Sequence, residues 1–123
     1  MNAQSQAHRA YAAVAAPTRT PRSAEYETVA RVTQKLQAAH SQGEQGFRAL
    51  VDAAHLNRRM WRIFAIDVSD KANPLPADLK ARIVYLSEFT QQHTSKVLAR
   101  QASARPLIDI NLAILRGLRG KDK

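Results

Sequence analysis

The feature that most constrains this chain is an apolar stripe of helical period between about Gln45 and Val68. Its members recur three, four and seven residues apart, which places them on one face of a helix. They are Phe47, Leu50, Ala54, Trp61, Phe64 and Val68. No segment alternates with the period of a strand over a useful length, so the sequence predicts an all-α fold built around a long central helix.

Proline and glycine divide the rest of the chain into four further predicted helices. The first clear signal for the start of a helix is Thr20-Pro21, a hydroxyl N-cap followed by proline at the first helical position. These helices run from Gln4 to Ala15, from Thr20-Pro21 to near Ala39, from Pro76 to a fading end between Arg100 and Ser103, and from Pro106 to a stop at Gly117 and Gly120.

The prediction is therefore one domain, a bundle of about four to five helices. A length of 123 residues fits a single domain, and 45% hydrophobic with 24% charged residues is ordinary for a globular protein. Residues 1–19 are predicted as a short N-terminal helix and loop that either docks on the bundle or frays. Residues 20–118 form the predicted helical domain, and residues 119–123 a basic tail.

Catalytic and metal-binding signatures are missing from the sequence. There is no cysteine, no glycine-rich phosphate loop and no hydrolase or metalloprotease motif. The four histidines, His8, His40, His55 and His93, never stand three or four residues apart, so no helix face offers a metal-binding pair. We expect no enzyme activity, no cofactor and no metal, and we expect His93 to be a hydrogen-bonded core or boundary residue.

The charge balance is strongly basic, with 19 Lys and Arg against 10 Asp and Glu. This surplus either keeps the chain soluble or attracts RNA, anionic lipid or an acidic protein. Arg58, Arg59 and Arg62 fall on the outer face of the central helix, where they form a solvated surface or contact RNA or an acidic partner. No apolar run approaches the ~20 residues that cross a bilayer, and Met1–Ala16 lacks a signal-peptide core. We expect a cytoplasmic protein without membrane insertion.

Two residues of the central stripe have competing interpretations. Asn57 occupies an apolar position, and a buried amide without partners costs about 1–3 kcal/mol. Its amide either caps a loop carbonyl or fixes helix register, or else it binds the backbone of a partner peptide. Trp61, the only tryptophan, is either a core anchor beside Phe64 or a hot spot for a partner.

Several segments, in this order, carry a resemblance over most of the chain. They are Ala10-Tyr11-Ala12, Thr20-Pro21-Arg22, Leu56-Asn57-Arg58-Arg59-Met60-Trp61-Arg62-Ile63-Phe64, Asn73-Pro74-Leu75-Pro76-Ala77-Asp78-Leu79, His93-Thr94-Ser95, Leu107-Ile108-Asp109-Ile110-Asn111 and Gly117-Leu118. With them the chain resembles the FlaF family of bacterial flagellar biosynthesis regulators. The most specific elements are Asn-Arg-x-x-Trp and Asn-Pro-Leu-Pro.

The resemblance implies a role in flagellum biogenesis and no enzymatic activity. It implies a chaperone-like secretion factor that binds the amphipathic terminal segments of newly made flagellin, and that regulates flagellin synthesis beside a flagellin-mRNA regulator protein. An apolar groove between helices is then expected, with candidate partner-binding residues Asn57, Trp61, Phe64, Leu75, Ile110 and Ile114. The alternative is a basic RNA-binding protein that acts directly on flagellin mRNA translation through Arg58, Arg59 and Arg62.

Overall fold

The computed structural model describes the backbone of residues 21–121 and the side chains of residues 25–117. Four α-helices occur there: α1 (Pro21–Ser41), α2 (Phe47–Ser69), α3 (Ala77–Leu98) and α4 (Arg105–Lys121), with a short 3-10 helix at Gly43–Gly46. No strand lies between residues 21 and 121, which confirms the prediction of an all-α single-domain bundle. The central helix α2 is only modestly long, with 23 residues against 22 in α3.

Part of the prediction cannot be compared with the structure. The predicted helix from Gln4 to Ala15 lies outside the described residues. The division into residues 1–19, 20–118 and 119–123 stays a prediction.

The predicted stop at Gly117 and Gly120 is wrong, since α4 continues through both glycines to Lys121. A glycine inside a helix costs about 1 kcal/mol relative to alanine, which weakens a helix without ending it.

Consecutive helices run antiparallel, which gives an up-down-up-down bundle. Between α2 and α3 this direction is visible in two hydrogen bonds. The Ser87 hydroxyl donates to the Trp61 carbonyl oxygen (3.1 Å), and the Arg58 guanidinium donates to the Ser95 hydroxyl oxygen (3.5 Å). Helix α1 packs on α2 and α4, whereas α3 packs chiefly on α2 and only lightly on α4.

The core consists of two apolar clusters separated by a layer of buried polar side chains. The first cluster contains Leu36, Ala53, Val97, Ala104, Leu107 and Ile108. The second contains Val29, Val32, Met60 and Trp61. Between them along the helices lie the members of the polar layer: Thr33 on α1, Asn57 on α2, Thr90 and Thr94 on α3, and Asn111 on α4. All four helices therefore carry a polar residue at the level where the two clusters meet.

The connection between α1 and α2 depends on two glycines. Gly43 has a φ of +61°, a left-handed conformation that glycine adopts without strain. At Gly46 an added Cβ would collide with the carbonyl oxygen of Ala39 and with Cβ of Gln42. The sequence therefore reverses direction at this place through a tight turn that tolerates no larger side chain at residue 46.

Helix α3 ends sharply at Leu98, so the predicted fading end between Arg100 and Ser103 is wrong. The amide of Arg100 donates to the Val97 carbonyl, and the amide of Gln101 donates to the Lys96 carbonyl (2.8 Å). These two bonds form a Schellman motif. Arg100 takes the left-handed position of this motif, with a φ of 61°. Its guanidinium lies 3.9 Å from the ring centroid of Phe47, a cation–π contact that holds the residue in place.

Candidate interaction surfaces

A buried hydrogen-bond chain joins α2 to α4 through the polar layer. The indole N–H of Trp61 donates to Asn111 Oδ1 (2.9 Å), and Asn111 Nδ2 donates to Asn57 Oδ1 (2.8 Å). An indole nitrogen can only donate, so it fixes the orientation of the Asn111 amide, and this in turn fixes the Asn57 amide. Asn57 Nδ2 is left without a hydrogen-bond partner in the described part of the chain. The amide oxygen of Asn57 is thus bound inside the bundle.

Most of the candidate partner-binding residues belong to this hydrogen-bond chain or pack beside it. Asn57 and Trp61 have relative exposures of 0% and 1%, so neither offers surface to a partner while the bundle is closed. Phe64 is half-buried and meets the Trp61 ring edge-on, with ring centroids 5.5 Å apart. Ile110 and Ile114 are also half-buried and pack against the second apolar cluster. Their role as partner contacts stays a prediction.

Leu75, the sixth candidate, lies in the connector between α2 and α3. Two side chains brace this segment: Asp70 Oδ1 accepts from the amide of Ala72 (2.9 Å), and Asn73 Oδ1 accepts from the amide of Leu75 (3.0 Å). Asn73 Nδ2 also donates to the carbonyl oxygen of Asp67 (3.3 Å), at the end of α2. The half-buried Leu75 is therefore held by its backbone in the connector, and it is not among the side chains that pack against the second apolar cluster.

The three arginines of the central helix divide between its two flanks. Arg58 donates to Ser95 of α3 and contacts His55 Nδ1 (3.2 Å), and Arg62 donates to Gln91 Oε1 of α3 (3.3 Å). Arg59 instead lines a cleft on the α1 side. The arginine surface expected from the sequence is thus divided, with Arg58 and Arg62 on the α3 side of α2 and Arg59 at the cleft on the α1 side.

The cleft between α1 and α2 has a volume of about 560 Å³. Four alanines and Leu56 supply the apolar part of its lining. The charged or titratable side chains that line it are Lys35, Asp52, His55 and Arg59. An open cleft with apolar and mainly basic lining residues can accept a protein segment better than a compact small molecule.

Three large apolar side chains are exposed in the described part of the chain. Ile63 and Ile66 on α2 are 56% and 66% exposed, and Tyr85 on α3 is 66% exposed. Between residues 25 and 117 no three His, Asp or Glu side chains are placed to hold a metal ion. None of the described helices is long and apolar enough to cross a membrane.

The model of one protein family, described as flagellar protein FlaF, matches residues 7–118. This chain belongs to the FlaF family. The match covers all of α1, α2 and α3 and most of α4, together with the connector that holds Leu75. No curated protein and no solved structure matches the chain significantly.

In this FlaF family member the sequence pattern missed part of the polar layer. On α3 the buried residues include Thr90 and Thr94, and Thr94 lies one position after His93, which the sequence placed in the core or at its boundary. His93 lies at the boundary, where its Nε2 is 2.7 Å from the Ser103 carbonyl oxygen, as expected for a hydrogen-bonded boundary histidine. Asn111 was not predicted as buried, although its spacing of four residues from Leu107 and three from Ile114 carried the signal.

Proposed function

We propose that this FlaF family member is a non-catalytic, cytoplasmic, chaperone-like secretion factor that binds newly made flagellin and regulates flagellin synthesis. The regulation acts together with a flagellin-mRNA regulator protein. The observation that carries the proposal is the pair Ile63 and Ile66, which stay exposed on the central helix beside an open cleft. An apolar surface on a helical bundle is a site at which an amphipathic helix can bury its apolar face.

Flagellin supplies a client of suitable chemistry. Before export, its amphipathic terminal segments lack the neighbours that cover them in the assembled filament. Such segments can order on a binding surface, because the burial of their apolar side chains offsets the entropy that they lose. A bundle that binds them would keep the client from associating with itself and would deliver it for secretion.

Titration calorimetry of the purified protein with monomeric flagellin tests the proposal. We expect a saturable complex with full-length flagellin and no measurable binding to flagellin that lacks both terminal segments. A heat capacity that falls on binding would report burial of apolar surface. The proposal is refuted if full-length monomeric flagellin forms no complex at tens of micromolar, on the order of the weakest affinity useful to a chaperone.

RNA binding is the second candidate function, and a specific observation favours it. Arg58 and Arg62 donate to neutral groups and meet no carboxylate among the described residues, so their charge is open to an anion. Residues 25–117 contain 13 Lys and Arg against nine Asp and Glu, and the rest of the basic surplus lies towards the two ends of the sequence. Direct binding to flagellin leader RNA would then depend steeply on salt.

A matched pair of variants tests this second candidate. Changing Arg58 and Arg62 together to Gln should weaken RNA binding and lower the salt slope by about two phosphate contacts. Arg59→Gln, on the other flank of α2, should leave the RNA affinity unchanged. Binding that is absent at low salt, or equally sensitive to all three arginines, would argue against an RNA site on this flank.

A further inference from the structure

The cleft and the exposed isoleucines belong to one continuous surface along α2. Leu56 and Arg59 line the cleft, and Ile63 and Ile66 follow each of them by seven residues, which is about two helical turns. Residues seven apart drift by only ~20° around a helix, so all four lie on nearly the same face. We call these four residues the outer stripe of α2. The inner face of the same helix is already occupied by Asn57 and Trp61.

The shape of this surface suits a helix. Both walls of the cleft are helices, so their backbone groups are paired internally and offer no edge to an added strand. The lining includes Ala38, Ala39, Ala49 and Ala53, whose short side chains allow a third helix to approach closely. Beyond the cleft, the exposed isoleucines extend the apolar track by about two turns, a length that a short amphipathic helix can cover.

The charge of the surface selects among the candidate occupants. Lys35 and Arg59 outnumber the one carboxylate in the cleft, Asp52. Residues 1–24 of this chain contain no acidic side chain to complement them. A second copy in a two-fold contact would set the same basic cleft against itself. A helix with carboxylates beside its apolar stripe fits both the charge and the isoleucines.

We propose that the α1–α2 cleft and the outer stripe of α2 form the docking site for an amphipathic helix of another protein, with acidic residues flanking its apolar stripe. The inference rests on the proposed function in that flagellin's terminal segments are the first source of such a helix to be tested. Ile63 and Ile66 receive its apolar side chains, while Lys35 and Arg59 pair with its carboxylates.

Matched surface variants test the site with monomeric flagellin. Ile63→Ser combined with Ile66→Ser should raise the Kd about tenfold or more, because two isoleucines are no longer buried in the complex. Arg59→Glu should raise it by a similar factor and make the remaining binding less sensitive to salt. Tyr85→Ser and Arg82→Glu on α3 are the controls and should stay within about twofold of wild type. Urea midpoints verify that every variant is folded.

A pair of designed peptides separates the docking site from the identity of the client. Both are helical 20-mers with the same leucine stripe, one flanked by Glu and the other by Lys. The full-length protein should bind the Glu peptide at least about tenfold more tightly, since only its flanks oppose the charge of Lys35 and Arg59. Hydrogen exchange should then slow in the α1–α2 region, from Lys35 to Gln42 and from Asp52 to Ile66.

The outcomes of the two experiments are distinct. If flagellin binds but is insensitive to the outer-stripe variants, the docking site is wrong and the proposed function stands. If flagellin does not bind while the Glu peptide protects the cleft, the docking site stands and the proposed client is wrong. Equal binding of both peptides, binding of neither, or a dimer that dissociates when Ile63 and Ile66 become Ser overturns the docking site.

Discussion

Asn111→Leu should be the most damaging single change among the polar residues that bridge α2 and α4. Leucine keeps the branched outline of asparagine but removes both hydrogen-bonding atoms. In the native protein the hydrogen-bond chain from Trp61 through Asn111 to Asn57 has two hydrogen bonds and one buried group without a partner, Asn57 Nδ2. Asn111→Leu breaks both bonds, because Asn111 stands in the middle. The indole N–H of Trp61 and both polar atoms of Asn57 are then left without partners.

The magnitude follows from the number of orphaned groups. The variant has three such groups against one in the native protein, and each costs about 1–3 kcal/mol when buried. The free energy of unfolding should therefore fall by about 2–6 kcal/mol, a large part of the ~5–15 kcal/mol typical of a domain. Asn57 stands at the end of the hydrogen-bond chain, so Asn57→Leu removes the unpartnered Asn57 Nδ2 and leaves Asn111 Nδ2 without an acceptor instead. The free energy of unfolding should therefore fall by only about 1 kcal/mol.

The decisive test is the double variant Asn57→Leu, Asn111→Leu. It leaves only the Trp61 N–H without a partner, so it should be more stable than Asn111→Leu alone by about 2 kcal/mol or more. Urea unfolding followed by far-UV circular dichroism and by the fluorescence of the single tryptophan measures all four proteins. If the two changes are additive, the hydrogen-bond chain does not couple α2 to α4 and the reasoning fails.

Three further predictions concern local structure. Gly46→Ala should destabilise the protein by about 1–3 kcal/mol because its Cβ has no space, whereas Gly117→Ala, with nothing within 4 Å of the added Cβ, should stabilise it by up to about 1 kcal/mol; thermal unfolding gives both signs. Ser87→Ala should lower the free energy of unfolding by about 1 kcal/mol, measured by urea unfolding, since the buried Ser87 hydroxyl donates to the Trp61 carbonyl oxygen. Asn73→Ala should cost about as much and should speed hydrogen exchange in the connector, because its side chain holds both ends of that segment.

The sequence predicted the four described α-helices well, because their cores have clear physical markers. Pro21 and Pro76 stand where helices begin, and the apolar period of α2 follows the buried face from Ala54 to Val68. The ends were harder to predict. Helix α3 stops at a Schellman motif with Arg100 in the position that glycine usually occupies, and a stacking contact with Phe47 from another helix compensates for that conformation. Such a contact depends on tertiary structure and is invisible in the local sequence.

The polar layer was hardest to predict because apolar periodicity assigns buried positions to apolar residues. The Thr94 hydroxyl is satisfied locally, since it donates to the Thr90 carbonyl oxygen (2.6 Å), whereas the buried Thr90 hydroxyl has no hydrogen-bond partner in the described part of the chain. Asn111 satisfies its own requirement only across the bundle, with Trp61 and Asn57. Sequence spacing could place Asn57 and Trp61 on one face, but pairing them with a residue 50 positions away requires the fold.

The segment from Leu56 to Ile66 thus contributes residues to two different faces of α2. Its inner face holds Asn57 and Trp61, which tie α2 to α4 at one level of the bundle. A slip of α2 by one turn would separate Asn57 from Asn111 and place polar atoms against the apolar clusters, so the hydrogen-bond chain fixes the register of α2. The same register determines where Ile63 and Ile66 emerge beside the cleft. Asn57 therefore acts on the proposed binding surface through the position of its helix, and the outer stripe can lose its partner without any loss of the fold.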